Sequence, residues 1–171
     1  HVDDLWEDIE YYLKKDLEGA RQDFFVGSII LKTPDENEQH FEVVDGQQRL
    51  TSLYLLSIAI RNRFKELGCH DEVRDVDRDF LNFYDDNKKR SPKFLGTKKI
   101  REFLKYISDK DWNQIFPTKD DLDQKIHGST VNSINRVLKK SLKSHEDYVK
   151  KYDEQEINSL YRVIKRIKLI V

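Results

Sequence analysis

The chain has 171 residues, of which 37% are hydrophobic and 37% are charged, and its net charge at pH 7 is −1. This length suits one domain, or one domain with an appendage, that buries a sizeable core. The chain contains no apolar run long enough to span a membrane and no signal-peptide pattern, and its single cysteine excludes a disulfide framework. We therefore predict a cytoplasmic protein with no membrane partner.

The chain opens with the pattern of an amphipathic helix. Asp3 or Asp4 is a suitable N-cap, and apolar residues at helical spacing continue to about Leu17. Gly19 is expected to end this helix, because glycine adopts the left-handed conformation that closes many helices at little cost.

Two segments typical of β-strands follow this helix. Residues 24–31 and residues 41–44 are rich in β-branched and aromatic residues, and turn-forming residues separate them. We therefore predict a β-hairpin with a long loop. Gly27 lies inside the first of these strands, where it indicates either a β-bulge or a close approach of another group.

A tight turn joins the second strand to a long helix. The strand stops at Asp45 and Gly46, and an apolar segment with helical spacing begins at Gln47 and continues to about Leu67. The first N–H groups of a helix lack intrahelical partners and lie at the positive end of the helix dipole. Arg49 adds a cation with a planar set of donors. The turn is therefore a candidate binding site for a phosphate or another anion.

The same turn also has a purely structural interpretation, and the residues alone leave both open. Asp45 is a good N-cap, and Gln48, three residues later, completes a near match to a capping box. Gly46 would then only permit the turn, and Arg49 would be a solvated residue. Most faces of the following helix are apolar, so we expect that helix in the core of its domain under either interpretation.

Charge divides the chain into an acidic part and a basic part. Residues 1–87 hold 10 basic and 21 acidic residues, whereas residues 88–171 hold 21 and 11. A basic part can bind nucleic-acid phosphates, but solvated helix faces produce the same counts. The densest basic cluster, which either contacts phosphates or forms a solvated hairpin tip, comprises Lys88, Lys89, Arg90 and Lys93.

The second half of the chain is predicted to be mainly helical. Residues 71–79 are strongly charged and indicate a loop or a helix end, and residues 80–84 fit a short strand or a helical turn. His127 and His145 have no partner at metal-ligand spacing and are predicted to be surface residues. Further elements are predicted as helices at residues 98–107, 119–126, 131–152 and 154–163, and as a strand that begins at residue 167.

Three segments together resemble one protein family. Residues 44–51, Val-Asp-Gly-Gln-Gln-Arg-Leu-Thr, match the signature of the DGQQR-motif family, the N-terminal domains of GmrSD-type modification-dependent restriction proteins. Residues 5–9, Leu-Trp-Glu-Asp-Ile, resemble the first helix of that family, and residues 24–31 resemble its aromatic-glycine-serine strand. The clear resemblance covers residues 5–64.

The resemblance implies an α+β fold. Its first part would be a small ParB/sulfiredoxin-like unit made of a helix, a β-hairpin and a buried helix, and a mainly helical part would follow. We accordingly predict a ParB-like core at residues 1–87 and a basic, mainly helical continuation of the same domain at residues 88–171.

The resemblance also implies a function in restriction and phage defence. The domain would bind an NTP with Mg²⁺, and NTP hydrolysis would be coupled to sensing modified DNA and releasing a nuclease. The family's His-Asn-His nuclease domain and two of its flanking motifs are not recognisable in the sequence. We therefore expect the nuclease to be a domain or subunit outside this chain.

By position in the family motif, the residues of this site would lie in or beside the turn. Asp45 would hold Mg²⁺ through water or orient the attacking water, and Gln47 or Gln48 would polarise that water. Thr51 would face the ligand, or it would bond back to a helix carbonyl. The implied phosphate-binding residues are Gly46, Gln48, Arg49, Thr51 and Gly27.

Two other functions remain open at this point. One is a non-catalytic DNA-binding or protein-interaction module, in which the turn is structural and the basic cluster contacts DNA. The other is a nuclease in its own right, which the ParB-like fold suggests. The sequence favours the nuclease least, because it shows no His-rich or clustered acidic site at metal spacing.

Overall fold

A computed structural model describes residues 2–33, 41–84, 90–94 and 129–170. These residues form helices and short strands, which confirms the α+β class. The chain divides into two compact units, one made of His1–Leu53 with Asp153–Val171 and the other of Tyr54–Tyr152. The boundary at residue 87 falls outside the described residues, so it stays a prediction, as does the relationship to the ParB/sulfiredoxin fold.

The elements alternate between helices and short strands. In chain order they are α1 (Val2–Leu17), β1 (Phe24–Ser28), β2 (Ile30–Lys32), β3 (Glu42–Asp45), α2 (Gln47–Glu66), α3 (His70–Val76), a short π-helix (Asp77–Leu81), β4 (Asn82–Tyr84), β5 (Arg90–Pro92), α4 (Ser129–Val149), α5 (Glu154–Lys165) and β6 (Ile167–Ile170). The helices predicted at residues 98–107 and 119–126 lie outside the described residues. No helix in the described part of the chain is long and apolar enough to cross a membrane.

The first helix ends as predicted. α1 stops at Leu17, and Gly19 follows it with a φ of +82°. The N–H of Gly19 donates to the carbonyl of Asp16 at 3.0 Å, and the N–H of Ala20 donates to the carbonyl of Lys15 at 2.9 Å. Gly19 therefore closes the helix by satisfying carbonyls that have no partner within it.

The segment predicted as one strand, residues 24–31, forms two strands with different partners. β2 pairs antiparallel with β3, with Leu31 opposite Val43, and this confirms the predicted hairpin. β1 pairs in parallel with β6, which lies at the other end of the sequence. The register of this pair shifts between Phe25 and Gly27, so the pairing is irregular next to Gly27, where one of the two predicted options was a bulge.

The core of the first unit lies between its helices and β1. α1 packs against α5, and the rings of Tyr12 and Phe24 stack with their centroids 4.6 Å apart. Burial of each large apolar side chain contributes about 1.5–3 kcal/mol before the entropy cost of ordering is subtracted. The buried side chains of this unit include Trp6, Ile9, Leu13, Phe24, Ile157, Leu160 and Val163.

A buried carboxylate joins α1 to α5. The side chain of Asp16 is 2% exposed, and it accepts hydrogen bonds from Arg166 at 2.6 Å and from Arg162 at 2.8 and 3.1 Å. Burial by itself raises the pKa of Asp16, but the hydrogen bonds and charges of the two arginines lower that pKa below its ordinary value. The sequence places these arginines four residues apart on one helical face, but it does not show which acid they meet.

The part of α2 that belongs to the second unit, from Tyr54 onward, is buried as predicted. Its residues from Tyr54 to Ile60 are all buried, and Phe64 is fully buried. The Nε and Nη2 atoms of Arg63 donate to the carbonyl of Tyr152 at 2.9 and 2.8 Å. These bonds connect α2 to the residues that follow α4.

The predicted surface position of His145 is wrong. His145 is fully buried in α4 rather than at the surface, and burial lowers its pKa to about 4, so it is neutral at pH 7. Leu138, Leu142 and Val149 are buried at the spacing that also includes residue 145. His145 lies on this apolar stripe of the helix, and that pattern in the sequence could have predicted its burial. His127 lies outside the described residues.

Residues 71–79 lie in α3 and the π-helix rather than in a loop. The carboxylate of Asp77 is fully buried, and it accepts a hydrogen bond from Asn82 at 2.7 Å and another from the hydroxyl of Tyr84. The guanidinium of Arg61 lies 3.9 Å from the same carboxylate. These polar partners allow a charged segment to be helical and partly buried. Residues 80–84 divide between the two predicted structures, because β4 begins at Asn82.

Candidate functional site

The strand, turn and helix around residues 43–51 are present as predicted. β3 ends at Asp45, which lies opposite Ile30 of β2, and α2 begins at Gln47. Between them, Gly46 has a φ of +88°, and its carbonyl accepts the hydrogen bond of the Leu50 N–H at 3.1 Å. Gly46 therefore occupies the N-cap position. The predicted N-cap at Asp45 is wrong by one residue, since Asp45 is still part of the strand.

The glycine at position 46 is also required by packing. A Cβ built there would lie 2.5 Å from the Cγ2 of Ile29 and 3.3 Å from its Cα, and Ile29 is buried. The turn thus rests directly on the residue that separates β1 from β2. This contact fixes where α2 starts relative to the strands.

Alanine substitution should show that packing at Gly46 matters more than its φ. Gly46→Ala should lower the free energy of unfolding by about 1–3 kcal/mol more than Gly19→Ala does, because the new methyl group overlaps Ile29. Gly19 is the matched control, because it has a φ of +82° but nothing lies within 4 Å of a built Cβ. Urea unfolding measures both variants. Equal losses would mean that backbone conformation alone selects glycine at position 46.

Three motif side chains bind the protein's own backbone. The amide of Gln47 donates to the carbonyl of Val43 at 2.8 Å, and the hydroxyl of Thr51 donates to the carbonyl of Gln47 at 2.7 Å. Arg49 donates to the carbonyl of Ser28 at 2.5 Å. Of the two options for Thr51, the structure shows the bond back to a helix carbonyl.

The other two polar side chains of the motif face outward. Asp45 and Gln48 are both exposed, and within the described residues neither side chain has a hydrogen-bond partner. The first turn of α2 contains no acidic residue, whereas α5 begins with a capping box in which Asp153 accepts from the N–H of Glu156 at 2.9 Å. Within the described residues, the first turn of α2 therefore has no capping box like that of α5 to satisfy its N–H groups.

Gly27 lies against Arg49. A Cβ built on Gly27 would be 3.2 Å from the Nε of Arg49 and 3.4 Å from its Cζ. The close approach that was predicted as the second option for Gly27 is made by the side chain of Arg49. Its role beside a ligand stays a prediction.

The basic cluster is only partly within the described residues. Lys88 and Lys89 lie outside them, and the same holds for the side chain of Arg90. The backbone of Arg90 is paired in the β4–β5 hairpin. The Nζ of Lys93 donates to the carbonyl of Asp79 at 3.0 Å and lies 5.2 Å from the ring centroid of Phe83. DNA contact by this cluster stays a prediction.

The described residues contain no group of three or more His, Cys, Asp or Glu side chains that could hold a metal ion. Asp45 is a single exposed carboxylate at the candidate site. Mg²⁺ in nucleotide sites is held largely by phosphates and water with one or two protein carboxylates, and a lone carboxylate suits that arrangement.

Comparison with known proteins identifies the family. The model of the family described as "GmrSD restriction endonuclease, N-terminal domain" matches residues 1–171. A search of curated proteins found no match, and a search of solved structures found none either. The family match covers every residue of the chain, including the turn from Asp45 to Arg49. The chain therefore belongs to the family of GmrSD restriction endonuclease N-terminal domains.

Proposed function

We propose that this chain is the NTP-binding and NTP-hydrolysing regulatory domain of a modification-dependent restriction protein that acts in phage defence. Family membership supports a role in DNA restriction. The observation that supports nucleotide binding is the start of α2, where an acid-free first turn follows a glycine N-cap and two outward-facing polar side chains lie beside it.

This arrangement suits a phosphate group. The first N–H groups of a helix lack intrahelical partners and point along its axis, and the dipole of the helix favours negative charge there. The amide of exposed Gln48 can add a hydrogen bond to a phosphate oxygen, and the guanidinium of Arg49, held at the carbonyl of Ser28, adds positive charge to the site without contacting the phosphate. Gly46 lets β3 pass directly into α2, because its φ of +88° is one that glycine adopts without strain.

Hydrolysis would depend on positioning and charge rather than on covalent chemistry. Asp45 lies at the edge of this turn with an unpaired carboxylate among the described residues, where it can orient an attacking water. Gln48 can polarise the same water. Mg²⁺ bound with the nucleotide would neutralise phosphate charge, and Asp45 is the residue that would hold it through water.

The family also suggests the partners of this domain. DNA that carries a modification would be the signal, and a nuclease domain or subunit outside this chain would be the effector. The basic cluster at Lys88, Lys89, Arg90 and Lys93 is the proposed DNA contact.

A non-catalytic module is the second candidate, and one observation favours it. Gln47 binds the backbone of β3, Arg49 that of β1 and Thr51 that of α2, so much of the motif stabilises local structure. In this case the motif would hold the fold, and the domain would act by binding DNA or another protein.

Nucleotide titration separates the two candidates. We expect at least one of ATP, GTP, CTP and UTP to bind the chain, and to bind more tightly with Mg²⁺. Gln48→Ala should raise the Kd about tenfold or more, the effect of losing a hydrogen bond to a charged group, without changing the melting temperature. Gln155→Ala is the matched control, because Gln155 is an exposed glutamine at the second position of α5.

Two results would contradict nucleotide binding at this turn. The first is that none of the four nucleotides binds, with or without Mg²⁺. The second is that Gln48→Ala and Gln155→Ala bind the nucleotide equally well. Either result would favour the non-catalytic module.

A further inference from the structure

Arg49 is exposed, yet its guanidinium is held by the protein's own backbone. Its Nη1 donates to the carbonyl of Ser28 at 2.5 Å. The end of the Arg49 side chain lies close to Gly27, since a Cβ built there would be 3.2 Å from Nε, 3.4 Å from Cζ and 3.5 Å from Cδ. A side chain from the first turn of α2 is thus attached to the end of β1.

A second attachment lies beside the first. Gly46 packs on Ile29, the residue that follows Ser28. Residues 27–29 therefore hold the start of α2 at two points, one through the backbone of Gly46 and one through the side chain of Arg49. Asp45 and Gln48 are the immediate neighbours of these two points. Their orientation consequently depends on both attachments.

The contact between residues 27 and 49 requires a glycine at position 27 and an arginine at position 49. A guanidinium can lie flat on a bare Cα while it donates in its own plane to a carbonyl, whereas the ammonium of lysine is a point charge on a flexible stem. The φ of Gly27 is +120°, which residues with side chains rarely adopt. Any Cβ at this position would also displace the guanidinium.

We propose that Arg49 is a positioning residue that, together with Gly27, fixes the first turn of α2 so that Asp45 and Gln48 meet the nucleotide in one orientation. This inference rests on the proposed function. The ligand is then contacted by the N–H groups of the turn and by Asp45 and Gln48, and Arg49 acts through them. Displacement of a reacting group by about 1 Å can lower a rate about 10²-fold.

Steady-state hydrolysis distinguishes positioning from phosphate binding. The substrate is whichever of ATP, GTP, CTP and UTP the wild-type chain turns over with Mg²⁺. Arg49→Lys keeps the charge and loses the guanidinium beside Gly27, while Gly27→Ala keeps Arg49 and displaces it. Both variants should lower kcat about 10- to 100-fold, and any rise in KM should not exceed the roughly tenfold loss of binding expected for Gln48→Ala.

Gly19→Ala is the control for placing alanine at a positive φ, and it should retain the wild-type kcat. A wild-type kcat in Arg49→Lys, or a raised KM at unchanged kcat, would show that Arg49 acts as a phosphate-binding cation and would overturn the inference. If Gly27→Ala does not fold, the separate effects of Arg49→Lys on kcat and on KM still test the inference.

Failure of the proposed function has a different signature. Wild-type chain that binds none of the four nucleotides rejects the nucleotide site and this inference together. Wild-type chain that binds a nucleotide without hydrolysing it keeps the site and rejects both hydrolysis and the positioning role. Only an active wild type with an active Arg49→Lys variant rejects the positioning role alone.

Discussion

Asp45→Asn is expected to fold like the wild-type chain and to hydrolyse NTP about 10²-fold more slowly. That loss is the size expected when one positioned acid–base or charged group is removed from a catalytic site. The carboxylate is exposed and has no hydrogen-bond partner among the described residues, so its replacement by an amide removes no structural contact. Turnover and thermal melts of the same preparation measure the two effects.

Asp45→Ala tests the structural role separately. A residue that caps α2 would cost about 1 kcal/mol when replaced by alanine. Because Gly46 holds the N-cap position, we expect less than about 0.5 kcal/mol, as at an ordinary surface site. Glu42→Gln is the matched control, because Glu42 is another exposed carboxylate of β3, and it should keep full turnover. Wild-type turnover in Asp45→Asn would exclude a catalytic role for Asp45.

Asp16→Ala is expected to cause the largest loss of stability, about 3 kcal/mol in the free energy of unfolding. The substitution removes a carboxylate that is 2% exposed and leaves Arg162 and Arg166 without their shared acceptor. Glu18→Ala is the matched control near the same end of α1. Its exposed pair with Lys15 has a separation of 3.6 Å, and we expect it to contribute less than about 0.5 kcal/mol.

The contribution of Asp16 should also depend on pH. Its pKa in the folded chain lies below the ordinary value of 3.8, so the unfolded chain binds its proton first as the pH falls. The stability that Asp16 contributes is therefore complete above about pH 5 and is lost progressively as the pH falls from there through the lowered pKa, below 3.8. The difference between wild type and Asp16→Ala in urea unfolding should shrink over this range. A difference that is constant down to pH 3 would mean that the arginines do not stabilise the charged carboxylate.

The candidate site was predictable from the sequence because its signals are local. An apolar run, an Asp-Gly pair and a helical spacing occupy consecutive residues, and each is visible without knowledge of the rest of the fold. The same holds for α1 with its closing glycine and for the buried helix α2. The match to the family signature then added a functional meaning that local patterns do not carry.

The roles of the individual motif residues were not predictable in this way. Whether Arg49 faces a ligand or a carbonyl depends on Ser28, which is 21 residues away. Gln47 and Thr51 have polar groups that could bind either phosphates or the backbone, and the structure shows the backbone. The sequence also placed the N-cap at Asp45, because capping propensity does not reveal that β3 continues through that residue.

The sequence by itself determined α1, α2, α4 and α5, the β2–β3 hairpin, the turn from Asp45 to Arg49 and the family, because periodicity, turn chemistry and a contiguous motif are properties of neighbouring residues. Only the tertiary structure decided the pairing of β1 with β6, the burial of His145 and the pairing of Asp16 with its two arginines. These features join residues far apart in the chain. Their energies come from excluding water and from matching donors to acceptors across elements, which exist only after the chain has folded.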